Sequence, residues 1–246
     1  MNKKVVIDAG HGGKDSGAAA NGILEKDIAL KVSKGIATRL NSEYEGVTAT
    51  LTRDDDKYLE LKERTDKSNK LGADVFVSVH CNAGGGSGGF ESYTYSGVTD
   101  PATTALQNML HTEIINRLKQ FNVNDRGQKK KDLYVCGKSN MPAVLTENLF
   151  IDVAADANKL KRTDVIEAII DGHVAGVAKY LGLKQKEAAK AKQLVIYANN
   201  KAIGNAEAKD GVTVVPLRLV AEALGAKVNY AVSYTHLRAH ETKANL

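Results

Sequence analysis

Tryptophan is absent, phenylalanine occurs four times, and the only cysteines are Cys81 and Cys136. One pair cannot build a disulfide framework, and its spacing is not that of a metal knuckle. Both read as free thiols, which implies synthesis in a reducing compartment. No apolar run approaches the ~20 residues of a membrane span. The start, Met1-Asn2-Lys3-Lys4-Val5, runs directly into an apolar strand, without the apolar stretch and cleavage site of a secretory leader. The expectation is a soluble chain made in the cytoplasm without its own signal peptide and with no membrane partner. A large excess of one charge is missing too: the net charge is +5 and the pI about 9.0. Basic residues are spread among acids, apart from Lys129-Lys130-Lys131 beside Arg126. Base-stacking aromatics are sparse and no nucleic-acid motif accompanies the charge, so nucleic acid is not an expected partner. A basic surface suits other polyanions, an anionic cell wall among them.

What is present is a hydrophobic fraction of 43%, enough for a packed core. Over the first 183 residues strand and helix signals alternate, the pattern of an α/β layer fold. Strands are expected at Val5–Asp8, Val47–Thr52, Asp74–Val79, Phe90–Tyr95, Leu133–Val135 and Ala143–Thr146. Helices are expected over Lys26–Leu40, Tyr58–Leu71, from Asp100-Pro101 toward Phe121, and over Asp164–Leu181 with Gly182 as its cap. The run Gly84-Gly85-Gly86-Ser87-Gly88-Gly89 lacks the Gly-Lys-Ser/Thr ending of a phosphate cradle and reads as a mobile rim.

Two apolar runs each end in a histidine: Val5-Val6-Ile7-Asp8-Ala9-Gly10-His11 and Val75-Phe76-Val77-Ser78-Val79-His80. In an open α/β sheet ligands bind beyond the carboxyl ends of the strands, so His11 and His80 should meet there. Glu25 and Glu147 have local settings that could bring carboxylates to the same place. Two histidines and a carboxylate form a common zinc set, and a second carboxylate can act as base. Each residue also has a plainer reading. A lone histidine after a strand is more often a hydrogen-bonded structural residue. Glu25 opens a helix, where a carboxylate suits the dipole anyway. Glu147 follows a strand holding Val144 and Leu145, where an ionised acid needs solvent or a task. His111 and His173 lie within helices and read as structural or surface residues. Cys81 should point away from His80 and is not counted as a ligand.

At these residues the chain resembles the zinc-dependent N-acetylmuramoyl-L-alanine amidases of the amidase-3 type. The matching pieces are Asp8-Ala9-Gly10-His11-Gly12-Gly13 with Asp15 and Gly17, Glu25-Lys26-Asp27, Thr52-Arg53, Leu61 with Arg64, Ser78-Val79-His80-Cys81-Asn82-Ala83, and Glu147 with Phe150. The resemblance implies a twisted, mostly parallel but mixed sheet flanked by helices on both faces. It implies cleavage of the amide between the muramic acid lactyl group and L-alanine in peptidoglycan. It assigns zinc to His11, Glu25 and His80 and general-base work to Glu147. Arg53, Arg64 and Asn82 become candidate substrate contacts, the plainer readings being ion pairs for the arginines and loop support for Asn82. After the base, Asn148-Leu149-Phe150-Ile151-Asp152 departs from the more usual Gly-Phe and Ser-Asn.

Domain organisation is expected as a catalytic domain over 1–183, a linker over 184–192, a small incomplete α+β module over 193–232, and a non-native tail over 233–246. Val195–Tyr230 resembles the start of the copper-amine-oxidase-N-terminal-like stalk module, through Asp210-Gly211, Val215-Pro216-Leu217-Arg218 and Glu222-Ala223-Leu224-Gly225-Ala226, with no copper ligand set visible. The tail resembles translated sequencing-adapter sequence, which would leave His236 and His240 without a role. Zinc is thus the expected cofactor and peptidoglycan the expected partner, in an endolysin or an autolysin acting at the bacterial cell wall. The competing readings are a zinc peptidase or carboxypeptidase acting on wall peptides, and a vestigial wall-binding protein.

Overall fold

Val5, Val6 and Ile7 are fully buried, as are Val75, Phe76 and Val77. Such runs have no solvent face, so they belong to central strands covered on both sides. The structure, a computed structural model, describes residues 2–186 and, further on, 194–198, 201–209, 212–214 and 221–222. Its first unit, Met1–Lys186, begins with β1 (Lys3–Ala9), the short pair β2 (Ala19–Ala20) and β3 (Ile23–Leu24), α1 (Glu25–Glu43) and β4 (Val47–Leu51). It continues through α2 (Leu61–Leu71), β5 (Val75–Asn82), β6 (Phe90–Tyr95), α3 (Pro101–Leu118) and β7 (Asp125–Lys131). It closes with α4 (Tyr134–Gly137), β8 (Ala143–Phe150), α5 (Ala154–Leu160) and α6 (Thr163–Leu181).

Six strands form one sheet in the order β4-β1-β5-β8-β6-β7. β4, β1, β5 and β8 run parallel, while β6 runs antiparallel to β8 and parallel to β7. This is the mixed, mostly parallel sheet with helices on both faces that the resemblance implies. Strand alternation sorts the side chains. Val5, Ile7, Val77, Val79 and Val144 face Val32, Ile36, Ile114, Ile166 and Ile169 of α1, α3 and α6. On the other face Val6, Phe76 and Leu145 pack with Leu71 of α2 and Val135 and Cys136 of α4. At the carboxyl end of β5 and β8 that second face carries His80 and Glu147, which are register partners.

Several boundaries differ from the expected ones. The Leu133–Val135 segment is helical: Cys136 and Gly137 donate their N–H to the Leu133 carbonyl at 3.1 and 2.8 Å, closing a turn that three apolar residues cannot distinguish from a strand. α2 starts at Leu61 rather than Tyr58, because Glu60 and Glu63 form a reciprocal capping box. β7 was not expected, since its sequence, DRGQKKK, has no apolar residue; it is an edge strand blunted by lysine. Within the glycine run, Gly84 and Gly85 donate to Asp152 Oδ2 at 2.8 and 2.7 Å, and Gly89 donates to Asp156 Oδ2 at 2.7 Å.

Lys184–Lys186 stay with the first unit, where Glu45 N donates to Lys184 O at 2.9 Å and Lys186 N to Glu43 O at 2.7 Å. The second unit comprises Glu187–Leu246. In it β9 (Leu194–Ala198), β10 (Lys201–Lys209) and β11 (Val212–Val214) form an antiparallel meander. Residues 187–192 of the expected linker and the tail over 233–246 lie outside the described residues, as does the expected module over 193–232 except at 194–198, 201–209, 212–214 and 221–222. Among the described residues no helix is long and apolar enough to cross a membrane.

His173 of α6 is completely buried against β8, its Nδ1 lying 2.8 Å from Ile169 O and its Nε2 2.9 Å from Thr146 Oγ1. Burial lowers its pKa from 6.5 to about 4, against the raising effect of the Ile169 carbonyl. Between those values the unfolded chain binds the proton and the folded chain does not. Stability is therefore fully present above pH 6.5 and is lost as pH falls toward 4, by about 3 kcal/mol for this group. The Tm should fall over that window, and His173→Gln, which keeps a polar side chain without the titration, should flatten the fall. An unchanged slope in the variant would remove His173 as its origin.

Candidate metal centre and active site

Asp8, fully buried on β1, fixes the ends of three neighbouring elements. Its Oδ1 accepts from Thr52 Oγ1 at 2.7 Å and Arg64 Nη1 at 2.9 Å, and its Oδ2 accepts from Ser78 Oγ at 2.7 Å. Arg53 and Arg64 then hold the turn that follows β1. Arg53 donates to the carbonyls of Ala9 (3.0 Å), Gly10 (2.7 Å), Lys26 (2.9 Å) and Asp55 (3.0 Å). Arg64 donates to Ala9 O at 2.6 Å, to His11 O at 2.8 Å and, through two nitrogens, to Leu59 O. With Asp8, that accounts for all five N–H groups of Arg64. Both arginines are at most 3% exposed. Their hydrogen-bond donors are committed to the fold, and Arg64 also lines the cavity that contains His11 and His80. They position His11, whose φ of 58° is uncommon for a residue other than glycine.

Glu25 is the first residue of α1 and only 4% exposed. Its Oε2 accepts from Ala18 N at 2.9 Å and its Oε1 from Cys81 N at 3.1 Å. That same Oε1 lies 3.0 Å from His11 Nε2 and 2.9 Å from His80 Nδ1, and the two ring nitrogens are 3.2 Å apart. Two glycines leave room for this convergence. A Cβ on Gly10 would sit 2.4 Å from the His80 ring, and one on Gly17 would sit 2.6 Å from both Glu25 Oε2 and His11 Cδ2. The remaining ring nitrogen of His11, Nδ1, is 2.9 Å from Asp15 Oδ2, the outer carboxylate that commonly orients a ligating imidazole.

His11, Glu25 and His80 form the group of potential metal ligands found among the described residues. Ligands bound at 2.0–2.1 Å in a tetrahedron stand about 3.3 Å apart, close to the three separations here. The electrostatics favour a cation. Burial works against charge on His11, but the Glu25 and Asp15 carboxylates outweigh it and raise its pKa to about 8. Burial likewise opposes ionisation of Glu25, yet His11 and His80 hold its carboxyl well below the usual range.

Glu147 lies inside β8 rather than after a strand, and His80 lies inside β5, so the strands extend beyond the expected ends. Glu147 is half-buried, with Oε2 enclosed and without a hydrogen-bond partner among the described residues. Burial raises its pKa to about 7; Glu25 and Glu91 add to the rise, while His80 and His11 oppose it. Glu91 escaped the sequence reading. It is the cross-strand partner of Glu147 on β6 and is 2% exposed. It accepts from Asn82 Nδ2 (2.6 Å), Tyr93 Oη (2.7 Å), Arg126 Nε (2.8 Å) and Lys129 Nζ. An acid within the alternating Phe90–Tyr95 strand was its one visible signal. Asn82 bonds Glu91 and its own neighbour Ala83 N (2.8 Å), and it lines the cavity that contains Glu147.

Elsewhere, Ser92 Oγ lies 2.9 Å from His111 Nδ1, and His111 Nε2 lies 2.8 Å from Asp125 Oδ1. This has the order of a nucleophilic triad, but Ser92 is fully buried and none of the three residues lines a described cavity. The set ties α3 to β6 and β7. His111 and His173 are thus structural, and Cys81 and Cys136 are buried free thiols.

The family model for N-acetylmuramoyl-L-alanine amidase matches residues 5–179. An endolysin of Bacillus phage SPP1 is 50% identical over 187 residues, covering 76% of this chain and 69% of that protein. The sporulation-specific N-acetylmuramoyl-L-alanine amidase of Bacillus subtilis (strain 168) is 41% identical over 221 residues, covering 87% and 85%. The solved catalytic domain of CwlV, an N-acetylmuramoyl-L-alanine amidase from Bacillus (Paenibacillus) polymyxa var. colistinus, superposes with a TM-score of 0.68 at 34% identity, covering 74% of this chain and 99% of that one.

The arginine clamp generates a test that separates support from substrate contact. Arg64→Leu leaves the Asp8 carboxylate buried without its cation, a change that typically destabilises by about 3–5 kcal/mol. Denaturant unfolding should show a loss of that size. An unaltered midpoint with a raised KM would return Arg64 to the substrate.

Proposed function

The chain belongs to the N-acetylmuramoyl-L-alanine amidase family, and on that footing we propose that it hydrolyses the amide between the lactyl group of N-acetylmuramic acid and L-alanine in peptidoglycan. His11, Glu25 and His80 hold zinc in this reading, and Glu147 is the general base. The observation that carries it is the convergence of His11 Nε2, His80 Nδ1 and Glu25 Oε1 within 3.2 Å of one another. Two neutral imidazoles and a carboxylate are the three-protein-ligand set of a catalytic zinc site. When bound, zinc supplies a Lewis acid that acidifies water and polarises the scissile carbonyl.

The chain's own residues do the remaining work. Asp15 holds His11 through Nδ1, leaving Nε2 to face Glu25 and His80. Glu147 takes the proton of the attacking water on its carboxylate and then delivers it to the departing alanine nitrogen. A pKa near 7 lets one group do both near neutral pH. The wall of β8 and β6 encloses Oε2 of Glu147, which sustains that proton affinity. The complete His-Glu-His set argues against a vestigial binding protein.

Digestion of purified peptidoglycan separates the amidase from a wall peptidase: free muramic lactyl groups and new N-terminal alanine are expected, and peptides cut elsewhere would overturn the assignment. His11→Ala and His80→Ala should each lose the bound zinc, read by elemental analysis; full occupancy in either would remove that residue from the ligand set. Glu147→Gln should fold and keep zinc while turnover drops roughly 10²–10⁴-fold. Activity within a fewfold of the parent would place the base elsewhere.

A further inference from the structure

The surface around His80 and Glu147 has two cavities of different chemistry that adjoin at Leu133. The cavity on the α2–α4 side, about 390 Å³, contains His11 and His80 and is walled by Tyr58, Leu61 and Tyr134. Leu61 and Tyr134 are among the exposed large hydrophobic residues. The cavity on the β6–β7 side, about 270 Å³, contains Glu147 and is walled by Arg126, Lys129 and Lys131. On the amidase reading the scissile bond would sit between the His11, Glu25 and His80 group and Glu147, which would direct the two parts of the substrate toward opposite cavities.

The cations of the second cavity are only partly used by the fold. Glu91 binds Arg126 Nε and Lys129. Lys131 Nζ has no hydrogen bond or ion pair among the described residues; the Arg126 guanidinium pairs with Glu91 and lies 4.6 Å from the centre of the Phe150 ring, with no hydrogen bond from Nη2 among the described residues. Register explains the grouping: Lys129 and Lys131 pair with Tyr93 and Tyr95, on the face that Glu91 shares, whereas Lys130 pairs with Thr94 and donates to Val98 O at 3.0 Å. Three cations against Glu91 and Glu147 leave the cavity positive. The sugar offers C–H faces and neutral acetyl groups, which suit tyrosine rings. A peptide carboxylate is the group that matches guanidinium and ammonium donors.

We propose that Arg126, Lys129 and Lys131 form a subsite for a carboxylate on the peptide that follows L-alanine, so that the peptide lies over β6–β7 and the sugar over α2–α4. This rests on the amidase reading and adds a substrate direction and a preference for acidic peptides.

The test compares kcat/KM for N-acetylmuramoyl-L-alanyl-D-glutamate and for its diamide at low ionic strength. The parent should favour the acid by about tenfold, the scale of one charge-assisted hydrogen bond, and molar salt should shrink the preference. Lys131→Gln should lower the acid-to-amide ratio severalfold, whereas Lys130→Gln, with the same change in net charge, should keep it. Zinc content and Tm confirm that each variant is folded. If the parent releases lactyl product equally from both compounds, the subsite is overturned and the amidase reading stands. A preference that survives intact in both Lys131→Gln and Arg126→Gln also overturns it. Release of no lactyl product from either compound overturns the amidase reading and this inference with it.

Discussion

The backbone of residues 9–11 is held by two buried guanidinium groups, and the metal centre depends on that restraint. His11 has a left-handed backbone, which a non-glycine residue keeps only when its surroundings over-determine it. Here the carbonyls of Ala9, Gly10 and His11 each accept from Arg53 or Arg64. Asp8 balances the buried charge of Arg64 from inside β1. A network of this kind stabilises only when every member is satisfied, and the five donors of Arg64 meet that condition. Its effect is to set the direction of the His11 ring without contributing a ligand.

Once the turn is fixed, the other two ligands arrive from elements anchored independently. His80 comes from a central strand and Glu25 from the start of α1, which packs on the opposite face of the sheet. Glu25 spans the sheet end because Ala18 N and Cys81 N grip its two oxygens. Three such groups within 3.2 Å are poorly arranged for mutual hydrogen bonding alone, since two imidazole nitrogens that both donate to Glu25 Oε1 would bring their hydrogens together across a gap of 3.2 Å. The shifts on His11 and Glu25 express one demand: the site recruits positive charge, from protons or from a metal ion.

The legibility of these features in the sequence follows their physical origin. β1 and β5 were readable because buried parallel strands are continuous apolar runs. α3 was readable from Asp100, which caps it by accepting from Ala102 N and Thr103 N, and the end of α6 from Gly182 in a left-handed conformation. His11, Glu25 and His80 could be singled out, though only the fold places them together. β7 was invisible because an edge strand needs no apolar residue, and α4 because one helical turn shows no periodicity. The fate of Arg53 and Arg64 was only partly readable: Arg64 makes the ion pair of its plainer reading, with Asp8, but the other partners of the two arginines are backbone carbonyls, which carry no signature in side-chain identity. The glycine run looked free for a different reason: its anchors, the Asp152 and Asp156 carboxylates, lie far along the chain.

The pairing of Glu91 with Glu147 shows how the missed strand bears on the chemistry. Directly opposed acids on antiparallel strands are destabilising, and here Glu91 is buried and Oε2 of Glu147 is enclosed. The two are not equivalent. Glu91 holds four donors, and burial, which alone would raise its pKa, is outweighed by Lys129, Arg126 and Tyr93, so it stays ionised. Glu147 has no such partners, and its proton affinity rises partly because an ionised Glu91 faces it. The fixed charge of one carboxylate thus helps to set the protonation of the other. Lys129 and Arg126 sit on or beside the polar edge strand for a reason beyond solubility: without them Glu91 would have to share the proton, and the asymmetry between the two acids would be lost.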